Sequence, residues 1–279
     1  MRRKTKGAII KPVKIVFKAI MWLNVLIGIL IPFLGTTLGA ACVFFFKNEM
    51  SARLGRALSG FAAGIMVSAS FFSLILPAFE QVKDDGAIKV LPLGLGFLAG
   101  MLFLLALDVL VPHVHSDKSE EGLRSGLKKT TKLFLAVSIH NLPEGMVVGI
   151  VFAGWMFGES QITLAGATVL AIGIALQNFP EGAVVSMPMR AEGLPKFKTF
   201  LYGALSGVIE PIGALITAFA AGLFLPVMPF LLVFAAGAMF YVVVEELVPS
   251  MAGGEHDNTG TLCFAAGFVV MMALDILFG

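Results

Sequence analysis

The stretch LFLAVSIHNLPEGMVVGIVFAG, residues 133 to 154, carries a histidine, an asparagine and a glutamate inside an otherwise apolar run. A second apolar run contains QNFPEG at residues 177 to 182. In each motif the first residue and the glutamate are four positions apart, so both side chains project from one face of a helix. A charge near the centre of a bilayer costs at least about 2.5 kcal/mol, which makes each glutamate a candidate functional group.

The composition predicts an all-α membrane protein, because 58% of the residues are hydrophobic, only 14% are charged and the mean hydropathy is +0.93. A helix needs about 20 apolar residues to cross the hydrocarbon core. Eight such stretches recur along the chain. The predicted spans are residues 24–46, 56–79, 89–111, 131–154, 162–188, 198–222, 226–248 and 260–278.

Residues 1–23 are predicted to form a basic amphipathic arm along the membrane surface, followed by a single eight-helix membrane domain over residues 24–279. Eleven basic residues lie in or beside the loops on one side of the spans, and two, Lys83 and Lys89, lie on the other. Basic loops are typical of the cytoplasmic side, so both termini are predicted outside the cytoplasm, although the seven basic residues of the arm favour the reverse.

The two ends of the chain resemble each other. FLAGMLFLLALDVL at residues 97–110 and FAAGFVVMMALDIL at residues 264–277 share seven of fourteen positions, which relates spans 3 and 8. FAAG followed by any residue and Met occurs at residues 61–66 and at residues 234–239, which relates spans 2 and 7. Five spans separate the members of each pair, so related helices cross the bilayer in opposite directions, as in the inverted repeats of many transporters.

A third intramembrane carboxylate, Glu210, lies in LSGVIEPIGAL and is followed by a proline. In the two motifs a proline precedes the glutamate, removes a backbone donor and is expected to kink the helix. No lysine or arginine lies in the central part of these spans, so the charge of the three carboxylates must be neutralised by a bound cation or by protons. Imidazole, carboxylate and carboxamide groups suit zinc and related divalent ions. Besides the three carboxylates, the candidate ligands are His140, Asn141, Gln177 and Asn178.

These motifs resemble the ZIP family of divalent metal transporters, in which the fourth span carries HNxPEG, the fifth carries a similar motif and eight spans are arranged as 3+2+3. Glutamine at the start of the second motif resembles the bacterial branch. The resemblance implies one metal held by His140, Glu144, Gln177 and Glu181, with Met66 as a further ligand.

The resemblance also implies a neighbouring second metal that shares Glu144 and Glu181 and adds Asn141, Asn178 and Glu210. Some relatives have aspartate in place of Asn178, so this binuclear arrangement is less anionic here. Ser73 and Glu80 match positions that line the outer entrance in similar proteins.

His113 and His115, near the end of span 3, are either ligands for departing metal or ordinary residues of a solvated loop.

The expected function is therefore secondary transport of Zn²⁺, with Fe²⁺ and Mn²⁺ as further substrates and Cd²⁺ as a surrogate, toward the cytoplasm across the plasma (inner) membrane. The resemblance implies an elevator motion of spans 1, 4, 5 and 6 against spans 2, 3, 7 and 8. The expected partners are divalent metal ions and lipid, with no nucleic acid; a homodimer stays open.

Two alternatives use the same side chains. An intramembrane metal-dependent hydrolase also needs histidine and carboxylates at bilayer depth, but the sequence has one histidine there and no HExxH motif, so we expect no enzyme. A proton-driven exporter would use the same carboxylates as its exchange site, and the residue types do not fix the direction of transport.

Overall fold

The computed structural model describes residues 5–45, 50–82, 90–114, 120–123, 125–159, 161–224, 227–253 and 257–279. These residues are helical apart from connecting turns and two short strands, β1 (His113–Val114) and β2 (Glu120–Glu121), which pair antiparallel. The α-helices are α1 (Thr5–Ala40), α2 (Cys42–Phe45), α3 (Ala52–Ala69), α4 (Leu76–Val82), α5 (Val90–Leu110), α6 (Lys129–Phe157), α7 (Leu164–Ala191), α8 (Lys196–Ser206), α9 (Ile209–Phe224), α10 (Met228–Val242), α11 (Val248–Met251) and α12 (Thr259–Phe278).

The described residues contain eight segments that are long and apolar enough to cross a membrane, which confirms the predicted all-α class and number of spans. In chain order these spans 1 to 8 are Val16–Phe45, Ala52–Val82, Val90–Leu110, Phe134–Phe157, Leu164–Ala191, Lys196–Ala220, Met228–Met251 and Thr259–Phe278.

The helix that contains span 1 begins at Thr5, well before the predicted start of the span at residue 24. The apolar residues around Lys18 continue the helix, and α1 runs without interruption from Thr5 through the predicted boundary at residue 23. The position of the basic arm relative to the membrane surface stays a prediction.

Spans 2 and 7 each contain a π-helical segment, Ser70–Ile75 in span 2 and Val243–Leu247 in span 7. The FAAG repeat aligns Phe61 with Phe234, and the same offset places Ser70 opposite Val243. The two departures from α-helical geometry therefore begin at equivalent positions of the two halves.

The spans pack in four close pairs: span 1 with span 5, span 4 with span 6, span 2 with span 8, and span 3 with span 7. In an inverted repeat span 1 corresponds to span 6, span 2 to 7, span 3 to 8 and span 4 to 5. Under this correspondence the pair of spans 1 and 5 matches the pair of spans 6 and 4, and the pair of spans 2 and 8 matches the pair of spans 7 and 3. The packing thus has the relation that an inverted repeat requires. Spans 2 and 5 and spans 4 and 7 also make contacts, which join spans 1, 4, 5 and 6 to the remaining four.

Close backbone contacts follow the register of the sequence repeat. A Cβ added at Gly64 in span 2 would lie 2.1 Å from the carbonyl oxygen of Phe264 in span 8. The equivalent glycine in span 7, Gly237, is packed in the same way against Phe97 in span 3, at 2.0 Å. Because such a distance leaves no space for a side chain, glycine is needed at both crossings.

A polar contact fastens the start of span 8 to the start of span 2. The Arg56 guanidinium donates to Asp257 Oδ2, at 2.5 Å from Nη2 and 3.1 Å from Nε, while the Thr259 hydroxyl and backbone amide donate to Asp257 Oδ1. The hydrogen bond from the Thr259 hydroxyl, together with Arg56, holds the pKa of Asp257 well below its ordinary value.

We expect Asp257→Asn to lower the thermal stability of the protein at neutral pH, because the substituted amide loses the ionic contact with Arg56. A lowered pKa in the folded state contributes stability above the unfolded pKa of about 3.9, and this stability is lost as the pH falls through the folded pKa. The difference in melting temperature from the unsubstituted protein should therefore stay constant from about pH 8 to about pH 5 and shrink below about pH 4. A difference that already disappears near neutral pH would contradict this assignment.

Candidate metal centre

Helices α6 and α7 carry the two PEG motifs and run through Pro143 and Pro180 without interruption. Each proline lacks the amide hydrogen that would bond to the carbonyl four residues earlier, so the carbonyls of Ile139 and Leu176 lose that helical hydrogen bond next to the motifs. Of the acidic and imidazole side chains of the motifs, Glu144 is fully inaccessible, His140 is 6% exposed and Glu181 is half-buried.

Span 6 is broken at Gly207 and Val208, between α8 and α9. Pro211 cannot donate to the Gly207 carbonyl, and the amide of Glu210 bonds to that carbonyl instead, at 3.1 Å. Glu210 therefore stands in the first turn of α9, where the positive end of the helix dipole favours a negative charge. Its side chain is 1% exposed.

The two motifs are joined by a hydrogen bond. Gln177 Nε2 in α7 donates to Glu144 Oε1 in α6 over 2.6 Å, and both side chains are fully buried. The electrostatic neighbours of Glu144 include Glu181 and Glu210. The carboxylates of three spans are therefore close enough to repel one another.

Glu210 is held by two other spans. Its Oε1 atom accepts from Thr36 Oγ1 in α1, at 2.7 Å, and from Asn141 Nδ2 in α6, at 3.2 Å. Asn141 Nδ2 also lies 3.3 Å from the carbonyl oxygen of Ser206. Asn178 lies beside both Glu144 and Glu210, but its amide forms no hydrogen bond of regular geometry. Both asparagines of the two motifs are thus next to carboxylates.

Buried polar atoms without a hydrogen-bond partner are concentrated at this place. Leaving such an atom unpaired costs about 1 to 3 kcal/mol, and more for a charged group. A bound cation would compensate most of them, because most are oxygen atoms. They are Asn141 Oδ1, Glu144 Oε2, Gln177 Oε1, Asn178 Oδ1 and Nδ2, Glu181 Oε2 and Glu210 Oε2.

Within the described part of the chain, no lysine or arginine forms an ion pair with Glu144, Glu181 or Glu210. Over the same residues, no three histidine, cysteine, aspartate or glutamate side chains form a group of metal-binding geometry. A metal here would therefore need the amide oxygens as ligands, or would have to draw the carboxylates closer together.

His140 and Glu181 line a cavity of about 60 Å³. Glu246, which lies within electrostatic range of Glu181, and Ser250 also line it. Ser250 is one residue from the end of span 7, so the cavity leads from the motif residues toward the end of the spans where the basic loops lie.

Met66 is fully buried in α3. It lies one helical turn beyond Ala62, which lines the cavity of His140 and Glu181, and therefore belongs to the same face of the helix. Its role as a metal ligand stays a prediction.

The glycines that end the two motifs bring backbones into contact. A Cβ added at Gly145 would lie 2.1 Å from the carbonyl oxygen of Glu210, and one added at Gly182 would lie 2.0 Å from that of Thr36. Since Gly145 and Gly182 are equivalent motif positions, Thr36 in span 1 is the repeat counterpart of Glu210 in span 6. The helices that supply the site are thus fixed against one another at the backbone.

Thr36 is absent from the site residues predicted by sequence. The signal was available, because the offset of 173 between Phe61 and Phe234 brings position 210 to within one residue of Thr36. Aligning span 1 with span 6 would have pointed to this uncharged residue.

Ser73, predicted at the outer entrance, lines a separate cavity of about 280 Å³ at the other end of the spans. Its hydroxyl donates to Asp275 Oδ1 over 2.8 Å. Glu80 is half-buried in α4 and is not among the described lining residues of that cavity. The entrance role of Ser73 and Glu80 stays a prediction.

His113 lies in β1, where its backbone pairs with that of Glu121. His115 lies outside the described residues. Their predicted exit role therefore stays open.

The chain is similar to known proteins over most of its length. A family model described as ZIP Zinc transporter matches residues 129–275. The Zinc transporter ZIP11 of Homo sapiens is 34% identical, with 88% of this chain and 94% of the relative aligned. The Zinc transporter ZIPB of Bordetella bronchiseptica is 38% identical, with 88% and 79% aligned, and the Zinc transporter ZupT of Nitratidesulfovibrio vulgaris is 34% identical, with 88% and 92% aligned. Similarity of this extent shows that the chain is an integral membrane protein of the ZIP family.

Proposed function

We propose that this protein is a secondary transporter that moves Zn²⁺ across the membrane toward the cytoplasm through the site between spans 4, 5 and 6. The observation that carries the proposal is the concentration of buried, unpaired oxygen atoms on Glu144, Glu181 and Glu210. Such a group is costly in a folded protein unless a cation occupies it. The names of the relatives, all zinc transporters, support zinc as that cation.

We assign a first metal position to His140, Glu144, Gln177 and Glu181, with Met66 as a further ligand. A second position shares Glu144 and Glu181 and adds Asn141, Asn178 and Glu210. The hydrogen bond between Gln177 and Glu144 and the one between Asn141 and Glu210 support these two groupings.

The chemistry of these ligands also determines the substrate range. Imidazole nitrogen with carboxylate and amide oxygens accepts first-row divalent ions, so Fe²⁺ and Mn²⁺ are proposed as further substrates and Cd²⁺ as a surrogate. No thiolate belongs to the proposed ligand set, and an ion held by weaker oxygen donors is released more readily, as transport requires.

Alternating access would move spans 1, 4, 5 and 6 against spans 2, 3, 7 and 8, in the manner of an elevator. Two of the four close pairs fall within the first group and two within the second. Of the proposed ligands, Met66 alone comes from the second group. Its departure from the site during such a motion would change the ligand set and favour release.

We place the protein in the plasma (inner) membrane with both termini outside the cytoplasm. The basic loops support this orientation. The cavity beside His140 and Glu181 would then lead toward the cytoplasm, which supports release of the ion there.

The test is ⁶⁵Zn²⁺ uptake into proteoliposomes in which the protein has one known orientation, with and without an imposed pH gradient. We expect zinc to move toward the side of the basic loops without ATP. Movement in the opposite direction, driven by the pH gradient, would favour an exporter. Retained zinc together with turnover of a lipid or peptide would favour a hydrolase, whereas rapid exchange of bound zinc would argue against one.

A further inference from the structure

Two adjacent threonines in span 1 use their hydroxyl groups differently. Thr37 Oγ1 donates to the carbonyl of Phe33, one turn earlier in its own helix, over 2.8 Å. This is the ordinary bond of a threonine inside a helix. Thr36 is fully buried and donates instead to Glu210 Oε1 in span 6, over 2.7 Å. The Thr36 hydroxyl is therefore committed to a side chain of the metal site.

This bond leaves the two oxygens of Glu210 with different surroundings. Oε1 accepts from both Thr36 and Asn141, whereas Oε2 is buried without a partner. Glu181 is an electrostatic neighbour of Glu210. Two donors on one oxygen restrict the rotation of the carboxylate, so the other oxygen stays available for a cation.

The surrounding backbone maintains this arrangement. A Cβ added at Gly207, in the break of span 6, would lie 2.8 Å from Thr36 Cβ and 2.9 Å from Glu210 Oε1, so the absence of a side chain there gives the bond its space. The Thr36 carbonyl packs against Gly182 in span 5, which places the threonine beside the second PEG motif.

We infer that Thr36 is a positioning residue of the metal site: its hydroxyl holds one oxygen of Glu210 on span 1, so that the other oxygen is presented to the cation. This inference rests on the proposed function. It also makes span 1, which contributes none of the proposed ligands, a determinant of the affinity for metal.

The test compares Thr36→Val, which keeps the shape and removes the hydroxyl, with Thr36→Ser, which keeps the hydroxyl. Thr37→Val is the matched control, because that hydroxyl serves only its own helix. Zn²⁺ binding to the purified full-length protein is measured by calorimetric titration, and ⁶⁵Zn²⁺ uptake into proteoliposomes gives KM and kcat. Thr36→Val should bind Zn²⁺ about tenfold more weakly and raise KM, whereas Thr36→Ser and Thr37→Val should stay within about twofold of the unsubstituted protein.

A double-mutant cycle separates positioning from general packing. In a Glu210→Ala background, Thr36→Val should change the affinity for Zn²⁺ by less than about twofold, because the residue through which it acts is gone. An equal loss in both backgrounds would overturn the inference, and so would normal binding by Thr36→Val. If Thr36→Val does not fold, Thr36→Ala replaces it in the same cycle. The comparison of Thr36→Ala with Thr36→Ser then tests the role of the hydroxyl.

Different results would contradict the proposed function and the proposed role of Thr36. An unsubstituted protein that transports no zinc contradicts the proposed function. An unsubstituted protein that transports zinc, with Thr36→Val unchanged in binding and KM, contradicts the role of Thr36 alone.

Discussion

Zinc uptake into proteoliposomes is expected to fall at least about 100-fold when Glu144→Gln or Glu181→Gln is introduced. Substitution of a residue that only orients a metal ligand already lowers metal affinity or activity about 10- to 100-fold. Loss of a direct anionic ligand should therefore lower transport by the upper value or more. Glutamine keeps the volume of the side chain and an oxygen that can accept from Gln177, and the fold should therefore survive. Glu144 and Glu181 are shared by both proposed metal positions, which makes these the largest effects that we expect from single substitutions.

The measurement is the initial rate of ⁶⁵Zn²⁺ uptake at equal protein density, with Glu192→Gln as the control. Glu192 caps the end of α7, eleven residues beyond Glu181, and is exposed, so removal of its charge should leave transport unchanged. Normal uptake by both Glu144→Gln and Glu181→Gln would refute the site. Loss of uptake in Glu192→Gln as well would point to a general effect of charge instead.

Gly145→Ala is expected to destabilise the protein and to reduce transport at least about tenfold. Its Cβ would lie 2.1 Å from the carbonyl oxygen of Glu210, a backbone atom that cannot rotate away, so α6 and α9 must separate. Overpacking of this kind costs about 1 to 3 kcal/mol. Separation of the two helices also moves Glu210 relative to Glu144, and misplacement by about 1 Å is enough to impair a preorganised site.

The control is Gly94→Ala in α5, because no heavy atom lies within 4 Å of the added Cβ at that position. Inside a helix alanine is favoured over glycine by up to about 1 kcal/mol, so Gly94→Ala should be neutral or slightly stabilising. Thermal unfolding and zinc uptake are measured for both variants. If Gly145→Ala gains stability as Gly94→Ala does, the close contact between α6 and α9 is not present in the folded protein.

The fold was largely predictable from the sequence because the length and hydropathy of each span are local properties. Seven spans begin within a few residues of their predicted positions. Span 1 is the exception. Basic residues such as Lys14 and Lys18 predict a separate arm over residues 1–23. Helix α1 runs through that boundary, because isolated lysines do not end a helix whose other residues are apolar, and the position of the arm relative to the membrane stays a prediction.

The candidate site was only partly predictable. The motif spacing predicts that His140 and Glu144 share one face of a helix, as Gln177 and Glu181 do. The structure places both motifs in helices and joins Gln177 to Glu144 by a hydrogen bond, while the roles of these residues as metal ligands stay predictions. Thr36 could not be recognised from its type, since an uncharged threonine in an apolar span is ordinary. The oxygen of Glu210 that accepts hydrogen bonds is determined by side-chain geometry across three helices. No local pattern in a single sequence encodes this geometry.

The matched π-helical segments of spans 2 and 7 indicate the order of events in the evolution of the repeat. A π-helical turn, with its i→i+5 hydrogen bond, accommodates one residue more than the α-helix around it. Because Ser70–Ile75 and Val243–Leu247 begin at equivalent positions, the two extra residues are most simply explained by a single event. That event would then predate the duplication, and the ancestral three-span unit already carried this irregular turn in its second helix.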